Sequence, residues 1–153
     1  MAEAFVYDHI RTPRGKGKAA GSLHEVKAID LAVGLLDELR TRNPSLDPHR
    51  VDDVVLGVVT PVGEQGGDIA KTAALAAGYP ETVPGTTMNR LCGSGMDAVI
   101  TAARAIKAGE AEVIVAGGVE SMSRAPFVMP KAETAFARNN EVFDTTIGWR
   151  FVN

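Results

Sequence analysis

Met88-Asn89-Arg90-Leu91-Cys92-Gly93-Ser94-Gly95-Met96-Asp97-Ala98 carries the one cysteine of the chain, Cys92. A thiol set among glycines is a candidate nucleophile, able to hold an acyl group as a thioester. The residues before it, Gly85 to Met88, have an extended pattern, and Ser94 to Ala108 have a helical one. Cys92 is therefore expected where a strand hands over to a helix N-terminus. The first N–H groups of a helix lack partners within it, and that end carries about half a positive charge. A thiolate placed there is stabilised. Gly93 and Gly95 add no side chains and leave backbone amides open to an oxyanion or acyl group. The competing reading is a buried, inert thiol, a common fate of a lone cysteine.

Magnitudes limit what this arrangement does alone. A helix end supplies about 0.3–1 kcal/mol, whereas a tenfold change in proton affinity takes about 1.4 kcal/mol. Strong activation needs an adjacent base, usually histidine. His9, His24 and His49 all fall in polar, loop-like stretches and read as surface groups. No pair of them has metal-ligand spacing.

Further residues fall into place around Cys92. Gly117-Gly118, just past an apolar run from Glu112 to Ala116, form either a tight turn or a backbone that approaches a reaction centre. Glu120 is either a solvated acid or a buried, hydrogen-bonded anchor for the loop. Gly93-x-Gly95-x-x-Ala98 also matches a dinucleotide-binding fingerprint. That motif lies far from the first strand, a bulky cysteine precedes its first glycine, and the next strand ends in Gly-Gly in place of a ribose-binding acid. A dinucleotide-binding module is kept as a rival. There is no Gly-x-Ser-x-Gly elbow.

The elements that must position these residues alternate. Ala4-Phe5-Val6-Tyr7 predicts a short buried strand. A basic, glycine-rich loop follows from Arg11 to Lys18, either a solvated turn or a contact for an anionic substrate tail or a partner subunit. Ile29, Leu31, Ala32, Leu35, Leu36 and Leu39 recur at helical spacing within Lys27 to Arg42. Asp47-Pro48 opens a turn, and Val51 to Val59 reads as a strand buried on both faces. Asp68 is an N-cap for a helix from Ile69 to Ala77, closed by Gly78 and Pro80. The helix after Cys92 is apolar almost all round, which predicts cover on several sides, and Gly109 ends it. From Ala125 onward no period is legible, and an irregular insertion is expected. The alternation implies an α/β architecture.

Composition bounds the rest. The chain has 153 residues, 45% of them hydrophobic, enough for a core of one domain. A net charge of −3 argues against a general nucleic-acid surface. One cysteine leaves no intrachain disulfide. No run approaches the ~18 apolar residues of a membrane span, and Met1 to Asp8 does not have the pattern of a signal or transit peptide. A cytoplasmic location is expected.

Asn89-Arg90-Leu91-Cys92-Gly93-Ser94-Gly95 and Gly117-Gly118-Val119-Glu120-Ser121-Met122-Ser123 resemble the two N-terminal signatures of the thiolases. Arg11-Thr12-Pro13, Gly63-Glu64-Gln65-Gly66 and Asp68-Ile69-Ala70-Lys71 are similar to weaker features of that family. The resemblance implies a layered α/β/α/β/α fold, of which residues 1–122 supply most of an N-terminal half and 123–153 begin an inserted domain covering coenzyme A. It implies acyl transfer between acyl-CoA and CoA, with CoA as substrate or product and no permanently bound cofactor or metal. Cys92 would carry the acyl group, its own N–H contributing to an oxyanion hole. Asn89, Gly93, Gly95, Gly117, Gly118 and Glu120 would support the loop, and Phe151 would touch the pantetheine. The family is usually dimeric or tetrameric, with Gly85–Met88 near the interface. Its base and second cysteine come from a C-terminal half not present in this sequence, so the chain is expected to need that half. A ketosynthase-like condensing enzyme and a non-catalytic acyl-CoA-binding protein are the other rivals. The Ser-Met-Ser after Glu120 favours thiolase.

Overall fold

Val54, Val55 and Leu56 lie at the centre of the molecule, 0%, 3% and 7% exposed. In the computed structural model, which describes residues 3–138 and 141–146, they belong to the middle strand of a parallel sheet. That strand, β1 (Asp53–Gly57), pairs with β2 (Gly85–Met88) on one side and β3 (Ile114–Gly118) on the other, giving the order β2-β1-β3. Val54 lies opposite Gly85 and Val115, and Gly57 opposite Met88 and Gly118. Helices cover both faces, as parallel strands require.

One face is made by α1 (Ala28–Arg42) and α2 (Ile69–Ala76). Ala32 and Leu36 of α1 and Ala70, Ala73 and Ala74 of α2 join Val54, Leu56, Tyr79 and Val83 in a single cluster. The alanines allow the close approach anticipated for them. Asp68 caps α2 by accepting the Lys71 N–H at 3.2 Å, and Gly78 closes it at φ +73°. The third helix, α3 (Ser94–Ala108), packs on β1 and β3 and contributes nothing to that cluster. Strand alternation places Val55 toward it. Gly109, at φ +78°, ends α3 where expected.

Several expectations are corrected. Residues 4–7 form no strand, and Phe5, Val6 and Tyr7 are 64%, 77% and 93% exposed. No described strand pairs with this stretch, and an extended run without a ladder buries nothing. It is held further on, where Asp8 meets Arg42 at 3.0 Å and Asn43 at 2.9 Å. Helix α3 buries only Ser94, Ala98 and Ala102. Met96, Val99 and Ile100 stand exposed, because among the described residues the sheet meets one side of it. The segment after Ala125 contains a small antiparallel pair, β4 (Phe127–Val128) and β5 (Phe143–Asp144). No described helix is long and apolar enough to cross a membrane.

The third strand begins two residues later than the apolar run suggests, and it is half-buried as an edge strand must be. Asp52 explains the shift. Its carboxylate accepts the N–H groups of Glu112 at 2.6 Å and Val113 at 3.0 Å, holding them outside the ladder. The same bonds, Val113 foremost, hold the Asp52 carboxyl below the usual carboxylate range. A carboxylate depressed in the folded state stabilises the fold above its unfolded value and loses that contribution as pH falls through the folded value. Asp52→Asn is therefore expected to lower stability near neutral pH, with a deficit that shrinks below about pH 4. Urea unfolding across that range checks this, and a deficit that grows in acid would contradict it.

Candidate active site

Leu91 has φ +50°, a left-handed conformation unusual for a branched side chain. Local hydrogen bonds over-determine it. The Leu91 N–H donates to Asn89 Oδ1 at 2.8 Å, and Ser94 Oγ donates to the Leu91 carbonyl at 2.6 Å. Ser94 Oγ also accepts the Arg90 N–H at 2.9 Å. The Gly93 and Ser94 N–H groups close the turn onto the Arg90 and Leu91 carbonyls. The Arg90 guanidinium reaches across to Asp97 at 2.8 Å. The outcome is a sharp elbow between β2 and α3 that leaves Cys92 exposed, not buried. Gly93 is the N-cap of α3 and offers no side chain to cap it.

Beneath the elbow, backbone meets backbone. A Cβ on Gly57 would lie 2.2 Å from the Ser94 carbonyl carbon. One on Gly118 would lie 2.7 Å from the Gly57 oxygen and 3.3 Å from Gly95 Cα. Glycine at these positions lets the ends of β1 and β3 touch the first turn of α3. Gly117 and Gly118 are the last residues of β3, not a turn beyond it, because their register with Leu56 and Gly57 continues.

An open cleft of about 370 Å³ results, lined among others by Gly57, Leu91, Cys92, Gly95, Gly118 and Glu120. Gly117 also borders it. Asn89 and Gly93 lie outside its lining and act on the elbow from behind. Asn89 Nδ2 donates to the Val59 carbonyl at 2.9 Å. Glu120 is exposed, yet it is an anchor: one oxygen accepts the Val59 N–H at 2.7 Å and the other accepts Gln65 Nε2. Both sides of the Val59 peptide chain are thus held by side chains that follow β2 and β3.

A family model described as the thiolase N-terminal domain matches residues 4–149. This chain belongs to the thiolase family. It is 59% identical over 153 residues to the 3-oxoadipyl-CoA/3-oxo-5,6-dehydrosuberyl-CoA thiolase of Escherichia coli (strain K12), covering 100% of this chain and 38% of that one. It is 55% identical over 151 residues to the beta-ketoadipyl-CoA thiolase of Pseudomonas aeruginosa, 99% of this chain and 37% of that one. The crystal structure of the Bacillus anthracis acetyl-CoA acetyltransferase superposes with a TM-score of 0.73 at 42% identity, over 82% of this chain and 32% of that one. The chain thus spans about 38% of the length of the curated relatives it matches. Its helices and parallel sheet are an α/β thiolase fold.

Within this thiolase segment, no histidine lines the cleft beside Cys92. His9 and His49 are exposed. His24 is more enclosed than expected, its side chain 38% exposed and its Nδ1 buried, because the loop around it folds toward Arg124. Among the described residues no cluster of metal-ligating side chains occurs. The glycines of the dinucleotide fingerprint serve another purpose here, Gly93 as N-cap and Gly95 against the backbone of Gly118. Phe151 lies outside the described residues. Sequence reasoning gave Gln65 no role at the site. No local signal marks it, because the groups that let an amide be buried here, on Thr60, Glu120 and Ser121, lie outside the Gly63–Gly66 stretch.

Proposed function

We propose that Cys92 is the acyl-carrying nucleophile of a thiolase reaction, in a protein whose C-terminal half completes the site. The observation that supports it most is the exposed thiol on a fixed elbow at an uncapped helix N-terminus, facing a cleft floored by backbone. The Cys92 sulfur attacks the 3-keto carbon of a 3-ketoacyl-CoA. The bond between C2 and C3 breaks, C2 takes a proton, and acetyl-CoA leaves. The acyl group then passes from Cys92 to the sulfur of a second CoA. The reverse direction is a Claisen condensation on an acetylated Cys92. The Cys92 N–H at the elbow is a donor for the oxyanion, and loss of one such donor costs ~10²–10³ in rate. The proton transfers need a base that the described cleft does not hold, which fits a contribution from a further half. CoA is substrate and product, not a resident cofactor.

Residues 1–122 would form the first half of the core and 123–153 the start of a segment over CoA, tied down by Arg124, which bonds Glu64 at 2.6 Å. A dimer or tetramer is the assembly proposed. The named substrates of the E. coli and Pseudomonas relatives are 3-oxo diacid thioesters, and the same class is proposed here. The test is a chimera in which this segment replaces its counterpart in the E. coli relative. With CoA, it should convert 3-oxoadipyl-CoA to succinyl-CoA and acetyl-CoA, while the 153-residue chain alone gives no turnover. A folded chimera without products, or turnover by the isolated chain, would overturn the proposal.

A further inference from the structure

Gln65 is 5% exposed and stands in a loop between β1 and α2, well away in sequence from Cys92. Every polar atom of its side chain is engaged. Its Nε2 donates to the Thr60 carbonyl at 2.8 Å and to Glu120 Oε1, and its Oε1 accepts the Ser121 N–H at 3.1 Å. The glycines around it shape the loop that buries it, with Gly63 at φ +62° and Gly67 at φ +61°. From Gln65 a continuous chain of hydrogen bonds leads to the nucleophile elbow. Glu120 holds the Val59 N–H, Asn89 holds the Val59 carbonyl, and Asn89 also holds the N–H of Leu91, the residue before Cys92.

We infer that Gln65 is a positioning residue for Cys92, acting through Glu120, the Val59 backbone and Asn89. The inference rests on Cys92 being the nucleophile proposed above. The physical reason lies in donor and acceptor counts. The Glu120 carboxylate has two donors aimed at it, the Gln65 amide and the Val59 N–H, and both bonds are charge-assisted. Only a side chain with a donor toward Glu120 and an acceptor toward Ser121 satisfies this place. An amide does so, whereas a carboxylate at position 65 would face Glu120 with like charge and an aliphatic group would take away the partner that the Ser121 N–H has here. Freed from Gln65, Glu120 swings within the cleft, and the Val59 link that sets the height of the elbow slackens. Gln65 is buried and does not line the cleft at Cys92, so the expected fault is in the chemical step.

The test uses the chimera and the exchange of the two side chains. Gln65→Glu alone and Glu120→Gln alone each set like groups against each other: two carboxylates in the first, and in the second the new NH2 against one of the two donors aimed at position 120, the Gln65 amide or the Val59 N–H. Each is expected to lower kcat by ~10²-fold, the scale of an ångström misplacement of a reacting group. KM for CoA should stay within about threefold, since uniform binding is untouched. In the double variant the glutamine at 120 keeps an acceptor for the Val59 N–H and offers its amide to the carboxylate at 65, which still accepts from Ser121. The bond to Thr60 is replaced by a contact of two acceptors, so recovery is partial, and kcat should rise at least ~10-fold over either single variant, the mark of coupled neighbours. Cys92 alkylation by iodoacetamide, read by mass spectrometry at one pH, follows the same order and needs no turnover. A chimera without the exchanges that lacks activity would bear on the catalytic reading, whereas the alkylation order bears on Gln65. Wild-type kcat in Gln65→Glu, a loss carried by KM alone, or a double variant no better than the product of the singles would overturn the inference. If the single variants do not fold, a double variant that folds yet alkylates at the rate of denatured chain would overturn it as well.

Discussion

Cys92→Ala in the chimera is expected to abolish acyl transfer while leaving the fold intact. Removal of a catalytic nucleophile costs on the order of 10⁵–10⁶ in kcat where the group acts covalently. The fold should not notice, because the thiol is exposed and no bond of the elbow uses it. Surface substitutions away from core, caps and strained backbone stay within about 0.5 kcal/mol. Two measurements separate chemistry from folding. Turnover of 3-oxoadipyl-CoA should fall to background in the alanine variant, and the urea midpoint should match the parent. A third links the residue to the intermediate: brief incubation of the parent with acyl-CoA should add an acyl mass to the peptide that contains Cys92. An alanine variant that turns over, or an acyl group found on another side chain, would remove Cys92 from the mechanism. The same result would leave the fold assignment untouched, since that rests on the sheet, the helices and the family match.

What was legible in the sequence had local causes. Gly85–Met88 and Ser94–Ala108 are bounded by Pro84, by the elbow and by Gly109, and each of these acts within a few residues. Asp68 caps α2 through its own neighbour at the third position, so the spacing alone announces it. The position of the candidate site between β2 and α3 was legible for the same reason, because Cys92 and its glycines are contiguous. What was not legible depends on partners distant in the chain. Phe5, Val6 and Tyr7 carry the composition of a buried strand, but burial belongs to a strand and its neighbour together. The start of β3 moved because Asp52, some sixty residues upstream, captures Glu112 and Val113. Glu120 had two readings until its partners were known, and Gln65 had none. Nothing in a Gly-Glu-Gln-Gly stretch says which of its two polar side chains turns inward. Here Gln65 is buried and Glu64 pairs with Arg124 at the surface, held below the usual carboxylate range by that guanidinium.

Gly57→Ala is expected to be among the most damaging single-methyl changes in the segment. The added carbon would sit 2.2 Å from the Ser94 carbonyl carbon, 2.4 Å from its oxygen and 2.5 Å from the Gly95 nitrogen. All three are backbone atoms, so no side chain can swing aside. The strand cannot yield either. Gly57 is paired on both sides, with Met88 and Gly118, and its carbonyl accepts the Val119 N–H at 3.1 Å. Relief requires lifting the first turn of α3, which carries the elbow and Cys92 with it. Overpacking in ordinary cores costs about 1–3 kcal/mol and sometimes more. With rigid backbone on both sides the cost is expected at or above the upper end, against a total stability of about 5–15 kcal/mol for a typical domain. Gly117→Ala is the control. It lies one residue along the neighbouring strand, and its added carbon would meet only Leu56 Cδ2 at 3.8 Å, an ordinary contact. Urea unfolding should show a large loss for Gly57→Ala and little for Gly117→Ala, and iodoacetamide should find Cys92 altered in reactivity only in the former. Equal stabilities in the two variants would mean that the strand ends and the helix are not in the backbone contact from which the whole elbow is built.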